Sequence, residues 1–539
     1  MANVTVPAEE LAPGPRGYRV NVIDFDASTG TLYQPAAYPK AKGGVYPDPF
    51  APRAPQKTAR QRRGAADRLI ADPRFHAQNV YAIAMRTLAR FEFALGRRVP
   101  WGCDGHQIHI APHAFSDANA FYSREDRAIF FGYFQDAKGR PIFTCLSHDV
   151  VAHETTHALL DGLRGRYMEP SSPDQAAFHE GFADIVALLS VFSLPDVVGA
   201  LLGGDGKFID ERLLTLDRLK QSVLFGLALQ MGQELSRVRG QALRRSVALK
   251  PGRAYRKDPA FDEPHDRGEL IVAATLNAFL DIWLARLARI GTLGGHRMDR
   301  SLVVEEGARV ADHLLTMSIR ALDYCPPTDI TFDDYLSALL TVDREVVPDD
   351  TKYGYRDALL ARFRDYDIKP SRDTAADGTW KLFDRSLVYS RTHFDSMLRD
   401  RQEVFRFIWE NREALEINSD GYVEVESVQP SIRVGPDGFT LRETVAEYVQ
   451  ILTLTVGELP RIGITPPKEM PEGLRVRIFG GGALVFNEYG LLKYQISSRL
   501  DDPVRQGRRL QYLWDTQFFE VPPDPQSHFA LMHLRRALS

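Results

Sequence analysis

Cys145-Leu-Ser-His-Asp-Val-Val-Ala-His-Glu-Thr-Thr-His-Ala-Leu-Leu160 is the stretch on which the reading of this chain turns, because it contains His-Glu-x-x-His. Taken as a helix, Val150, Val151, Ala158 and Leu159 supply an apolar side. His153 and His157, four residues apart, project together from one face. Two imidazoles so placed can grip one zinc ion. Glu154 then sits beside the open coordination position, where a carboxylate takes a proton without being a ligand. The competing reading is an ordinary solvated or hydrogen-bonded helix surface, which can carry the same spacing.

A catalytic zinc site takes three protein ligands, and the next helix offers the third. Ser172 followed by Pro173 is a helix start. In Phe178-His-Glu-Gly-Phe-Ala-Asp-Ile-Val-Ala-Leu189, Glu180 and Asp184 lie four apart, while Phe178, Phe182, Ile185, Leu188 and Leu189 face a core. Glu180 completes a His2Glu set for one zinc ion per chain. Asp184 is placed to accept the second ring N–H of a ligand histidine, fixing its tautomer and orientation. The alternative is a charged helix face with ordinary ion pairs.

Residues 148–161, followed by Glu180-x-x-x-Asp184, resemble the thermolysin-like zinc endopeptidases of the gluzincin group. Asn119-Ala-Phe-Tyr122 is similar to that family's substrate-binding edge strand, and the similarity reaches residues 75–101 upstream and, more weakly, 331–367 downstream. The resemblance implies an α+β fold with a two-lobed catalytic core, a mixed N-terminal lobe carrying the edge strand and a mainly helical C-terminal lobe. It implies zinc-dependent hydrolysis of internal peptide bonds with Glu154 as general base. The Asn119 side chain and the Ala120 carbonyl are expected to hold an extended peptide. Leu243 with Arg244, or with Arg245 in its place, is expected to shape the pocket for the residue after the scissile bond. His265, just ahead of a long apolar helix, is the expected hydrogen-bond donor to the oxyanion, with Tyr167 as a second donor.

Two positions depart from the family. Tyr167 follows His157 by ten residues, one fewer than the family usually has. The position eleven after Glu180, where the family places a calcium-binding carboxylate, is Val191. Calcium needs several convergent oxygens, so the double calcium site is not expected, and Asp149 is left as a helix N-terminal charge or a group hydrogen-bonded behind the ligands.

Composition sets the outer bounds. A chain of 539 residues exceeds one core and suggests two to four domains. Hydrophobic content of 44% and charged content of 26% are those of a soluble globular protein. A formal charge of −4 gives no electrostatic case for a nucleic-acid partner. Cys103, Cys145 and Cys325 are few and far apart, which suggests buried thiols in a reducing compartment rather than disulfides or a cysteine-based metal site. The first residues lack the basic and apolar regions of a secretory signal, and no run approaches the length of a membrane span, so cytoplasmic residence is expected.

Along the chain, residues 1–56 read as an extended arm with one strand candidate at 18–23 and a Pro/Gly-rich tract. Residues 57–200 form the N-terminal catalytic lobe and 201–369 the helical lobe, with a helix expected over 217–235. Residues 370–379 are polar and read as a linker. Residues 380–539 read as an accessory α+β module, with a helix candidate over 386–415 and period-two strands after it. Gly480-Gly481-Gly482 between two strand runs reads as a hairpin turn. His109 and His113 read as strand or loop residues.

The expected partner is a peptide or protein substrate, with no nucleic acid and no membrane. A regulatory partner is possible through the C-terminal module, and either the arm or that module is a candidate gate for the cleft. Two other readings stay open. An aminopeptidase needs an acidic anchor near the edge strand, which Asn119-Ala-Phe-Tyr122 lacks although Glu125 is near. A zinc-containing scaffold protein with an occluded site has no use for Glu154.

Overall fold

The computed structural model describes residues 2–519 other than 42, 44–45, 53–57, 137, 170, 205, 223–245, 253, 351–352 and 436–437. Its first sheet gathers strands from distant parts of the chain. Val20–Val22 pairs in parallel with Ile108–Phe115, which pairs in parallel with Ala128–Gln135. Ala120–Ser123 closes the order as an antiparallel edge strand, paired on one side only among the described residues. The arm therefore contributes a strand instead of only lying over a surface. Val20 and Val22 are buried, and Arg19 anchors them: its guanidinium donates to Val99 O at 2.7 Å, and its carbonyl accepts from Trp101 Nε1 at 3.1 Å.

Helices cover this sheet and pack on one another. Pro73–Leu95 begins at Asp72, whose carboxylate accepts from the Arg74 N–H at 3.0 Å, and ends at Gly96 in the left-handed region with φ of 65°. His148–Leu163, Pro173–Phe192 and Pro264–Ile290 follow as a tightly packed group, with Arg300–Arg320, Phe332–Val346 and Tyr355–Arg364 around them. Pro264–Ile290 corrects one reading of the sequence. Its most apolar 18-residue window has a mean hydropathy of 1.6, enough to cross a membrane by length and composition, and 83% of that window is buried inside the protein. Its apolar surface is spent on neighbouring helices.

Glycines set how closely two of these helices meet. A Cβ on Gly181 would stand 2.7 Å from Gly268 O, and one on Gly268 would stand 2.9 Å from Ala177 O. The start of Pro264–Ile290 thus lies almost backbone to backbone against the helix that carries Glu180.

The C-terminal part has a four-stranded antiparallel sheet in the order Tyr422–Val434, Thr440–Thr455, Arg475–Asn487, Leu492–Ser498. Gly480-Gly481-Gly482 is not a turn: the three lie inside the strand Arg475–Asn487, where a Cβ on Gly481 would meet Tyr448 O at 2.3 Å. The expected long helix over 386–415 is two short ones, Phe394–Met397 and Arg401–Glu410. The helix expected over 217–235 lies mostly outside the described residues.

Residues 370–379 do not behave as a loose linker. Thr379 and Trp380 are buried, with Trp380 N donating to Thr341 Oγ1 at 2.8 Å and Trp380 Nε1 to Tyr324 O at 2.9 Å. One apolar core runs from Val20 to Ile368 and takes in Trp380, Ala483, Val485, Tyr494 and Ile496, so the expected lobes share it with one face of the C-terminal sheet. Two smaller cores belong to the C-terminal part alone. A buried ionic network crosses the junction. Arg97 grips Asp323 through two bonds of 2.6 and 2.7 Å, Arg433 pairs with Asp323 and donates to Glu443 at 2.6 Å, and Arg164 pairs with Glu447.

Candidate metal centre

The helix His148–Leu163 is buried along nearly its whole length, which its two threonines tolerate because their hydroxyls bond back along the helix. Thr155 Oγ1 donates to Val151 O and Thr156 Oγ1 to Ala152 O, both at 2.7 Å. Spacing of one helical turn brings the two imidazoles to a common point. His153 Nε2 and His157 Nε2 are 2.9 Å apart, and Glu180 Oε2, from the neighbouring helix, lies 3.5 Å from the first and 3.7 Å from the second. Ligands about 2.0–2.1 Å from a tetrahedral zinc lie roughly 3.3 Å from one another, so these separations bracket what one ion needs. The three residues are the predicted ligand set, and they form a group of converging donors. The donor chemistry, two imidazoles and a carboxylate, fits zinc. Glu154, next to His153, is fully buried.

The outer ring nitrogens are engaged as well. His153 Nδ1 lies 2.8 Å from Asp184 Oδ1, the predicted partner. Burial opposes a charge on His153, but the Asp184 carboxylate, followed by Glu180 and Glu154, outweighs it and raises the ring to about 10. A cation binding there takes that proton's place. His157 Nδ1 meets His179 Nδ1 at 2.8 Å, with the rings stacked at 4.8 Å. His179 was missed in the sequence, although its position directly before Glu180 was a signal.

His265 reaches the same point. Its Nε2 lies 3.3 Å from Glu180 Oε2, and its Nδ1 lies 2.7 Å from Glu263 Oε1. Glu263 also caps the helix, accepting from the Asp266 N–H at 3.0 Å, so a single carboxylate starts the helix and holds the ring. Asp174, at the start of the Glu180 helix, fixes this turn by accepting from Arg267 at 2.6 Å and from Arg256 at 2.8 Å. The C-terminal helix Pro503–Asp515 comes near. Tyr512 is close enough to Arg267 and Glu263 to feel both charges, and burial is the main cause that pushes its hydroxyl up to about 12. Neither Glu263 nor Tyr512 was picked out in the sequence.

Tyr167 is a correction. Its hydroxyl donates to Pro326 O at 2.6 Å, and its ring packs against Phe178 in the buried core. A donor committed to a buried carbonyl is not at hand for an oxyanion, so Tyr167 serves packing. Asp149 lies in the first helical turn and accepts from Ser147 Oγ.

The edge strand is tied to the metal-motif helix. Tyr122 donates to Asp161 at 2.9 Å and Arg124 Nε donates to the same oxygen at 2.8 Å. Asn119 Oδ1 accepts from the Ala120 N–H at 2.8 Å and Asn119 O accepts from the Gly132 N–H at 2.8 Å, so both oxygens are used within the sheet. Ala120 is buried at the start of that strand. Leu243, Arg244 and Arg245 lie outside the described residues. No family model matches the chain, and no curated protein matches it.

Proposed function

We propose that this chain is a zinc-dependent endopeptidase of the thermolysin-like kind, with His153, His157 and Glu180 as its metal ligands. The observation that carries the reading is the convergence of two imidazole nitrogens and one carboxylate oxygen within 2.9–3.7 Å, beside a fully buried Glu154. A zinc ion held there supplies Lewis acidity, lowering the pKa of water and polarising a peptide carbonyl. Glu154 takes the proton of the attacking water and returns it to the leaving amine. His265 donates through Nε2 to the oxyanion while Glu263 holds Nδ1. Asp184 and His179 keep the ligand rings turned inward. The outer edge of Ala120–Ser123, the last strand in its sheet, is where an extended substrate adds as a further strand.

The test is cleavage of two peptide sets, one blocked at both termini and one with free amino termini, with the cut sites read by mass spectrometry. Internal cuts that stop on chelation and return with zinc support the endopeptidase. Cuts confined to peptides with a free amino terminus favour an aminopeptidase, and no cuts in either set favour a zinc-holding scaffold.

A further inference from the structure

Away from the Glu180 helix, a second set of metal-binding side chains meets in the interior. A ring nitrogen from each of His76 and His113 and the Sγ of Cys145 all lie within 4.8 Å of one another, and all three residues are buried. They come from separate elements: the helix Pro73–Leu95, the strand Ile108–Phe115, and the short turn Thr144–Leu146 just ahead of the metal-motif helix. No local spacing could reveal them, and the sequence reading set both His113 and the cysteines aside.

Their outer contacts are those of ligands. His76 Nε2 lies 2.7 Å from Ile70 O, and His113 Nδ1 lies 2.9 and 3.0 Å from the two carboxylate oxygens of Asp24. A carbonyl and a carboxylate only accept, so the ring nitrogens facing them carry the protons. In neutral rings the inner nitrogens then hold lone pairs, and these two face each other at 2.7 Å. Such a contact requires a positive charge: a second proton on one ring, or a cation shared by both. Phe143 closes the place, with its ring centroid 4.7 Å from that of His76 and 5.1 Å from that of His113. Tyr33 adds a further wall at 4.9 Å from His113. Asn79 fixes the cysteine turn by donating to Cys145 O at 2.8 Å.

We propose that His76, His113 and Cys145 form a second zinc site, structural in role and separate from the peptidase reading. Thiolate and imidazole are the donors zinc favours, and a carbonyl or carboxylate behind each ligand histidine fixes its tautomer. Charge selects a divalent ion. Zn2+ with the Cys145 thiolate and the Asp24 carboxylate sums to zero, which a dry interior needs, whereas Cu+ leaves an excess negative charge. On binding, the Cys145 S–H bond breaks, a sulfur–zinc bond forms and the proton leaves to solvent. Asp24 belongs to the N-terminal arm, so the ion ties the arm, the sheet and the entry to the metal-motif helix at one point.

The experiment replaces zinc by cobalt in the full chain and records the near-ultraviolet sulfur-to-cobalt charge-transfer band, with metal counted per chain. The wild type is expected to hold two ions and show the band. Cys145→Ser is expected to hold one ion and lose the band, whereas His157→Gln loses an ion and keeps it. A failure of the peptidase reading leaves the band untouched, because no sulfur belongs to that centre. A wild-type cobalt protein without the band, or a band that survives Cys145→Ser, overturns the second site. Should Cys145→Ser fail to fold, the wild-type spectrum decides alone.

Discussion

Asp184 Oδ1 stands 2.8 Å from His153 Nδ1, one helical turn beyond Glu180, so the helix that supplies the third ligand also aims the first. Removing the carboxylate lets the ring turn and weakens its basicity. Asp184→Ala is expected to lower zinc affinity about 10–100-fold, read by competition with a chromophoric chelator. Asp184→Asn keeps an acceptor oxygen and loses less. Equal affinity in all three proteins would remove Asp184 from the site.

His265 lies close to Glu180 yet is assigned to the oxyanion, and the two roles separate kinetically. His265→Ala is expected to cost roughly a hundredfold or more in kcat, with zinc content unchanged and KM little affected. Glu263→Gln keeps part of the loss, because it weakens the grip on Nδ1 without removing the donor. If His265→Ala loses zinc in step with activity, His265 is a ligand instead.

Gly181 and Gly268 bring the two helices together behind these side chains. Gly268→Ala places a methyl 2.9 Å from Ala177 O and 3.0 Å from Gly181 N, backbone atoms that cannot swing aside. The expected cost is about 1–3 kcal/mol in a urea titration, with a fall in turnover as His265 is carried away from Glu180. Gly181→Ala forces the same separation, so the double variant should cost less than the sum of the two.

The site was legible where its chemistry is local in sequence. His153, Glu154 and His157 share one helix, and Glu180 with Asp184 share the next, so helical periodicity alone set their faces. His265 came from the family resemblance, and Glu263 beside it did not, since a helix-capping carboxylate looks the same whether or not it also holds a ring. Tyr167 was misplaced because spacing along a chain does not tell which carbonyl a hydroxyl will find. The expected linker is another such case. The polar stretch at 370–379 looks like a linker, but Trp380 just after it is buried in the shared core, and burial of that kind depends on the sheet formed by residues 422–498.

That shared core has a measurable consequence. A chain ending at residue 379 exposes the surface covered by Ala483, Val485, Tyr494 and Ile496 and takes Arg433 from Asp323. It is expected to be insoluble or unfolded, as judged by near-ultraviolet circular dichroism, where an independent module would leave the rest intact. Within the full chain, Asp323→Asn leaves Arg97 and Arg433 buried without their counter-charge and is expected to cost about 3–5 kcal/mol in chemical denaturation.

The central claim is that Glu154 moves a proton at a zinc centre it does not help to hold. Wild type and Glu154→Gln are to be compared for bound zinc and for cleavage of an internally quenched peptide library. Equal zinc in both, with cleavage reduced about a hundredfold to ten-thousandfold in the variant, is the expected result. Equal cleavage by both proteins, or no zinc at the His153, His157 and Glu180 centre of either, would contradict it.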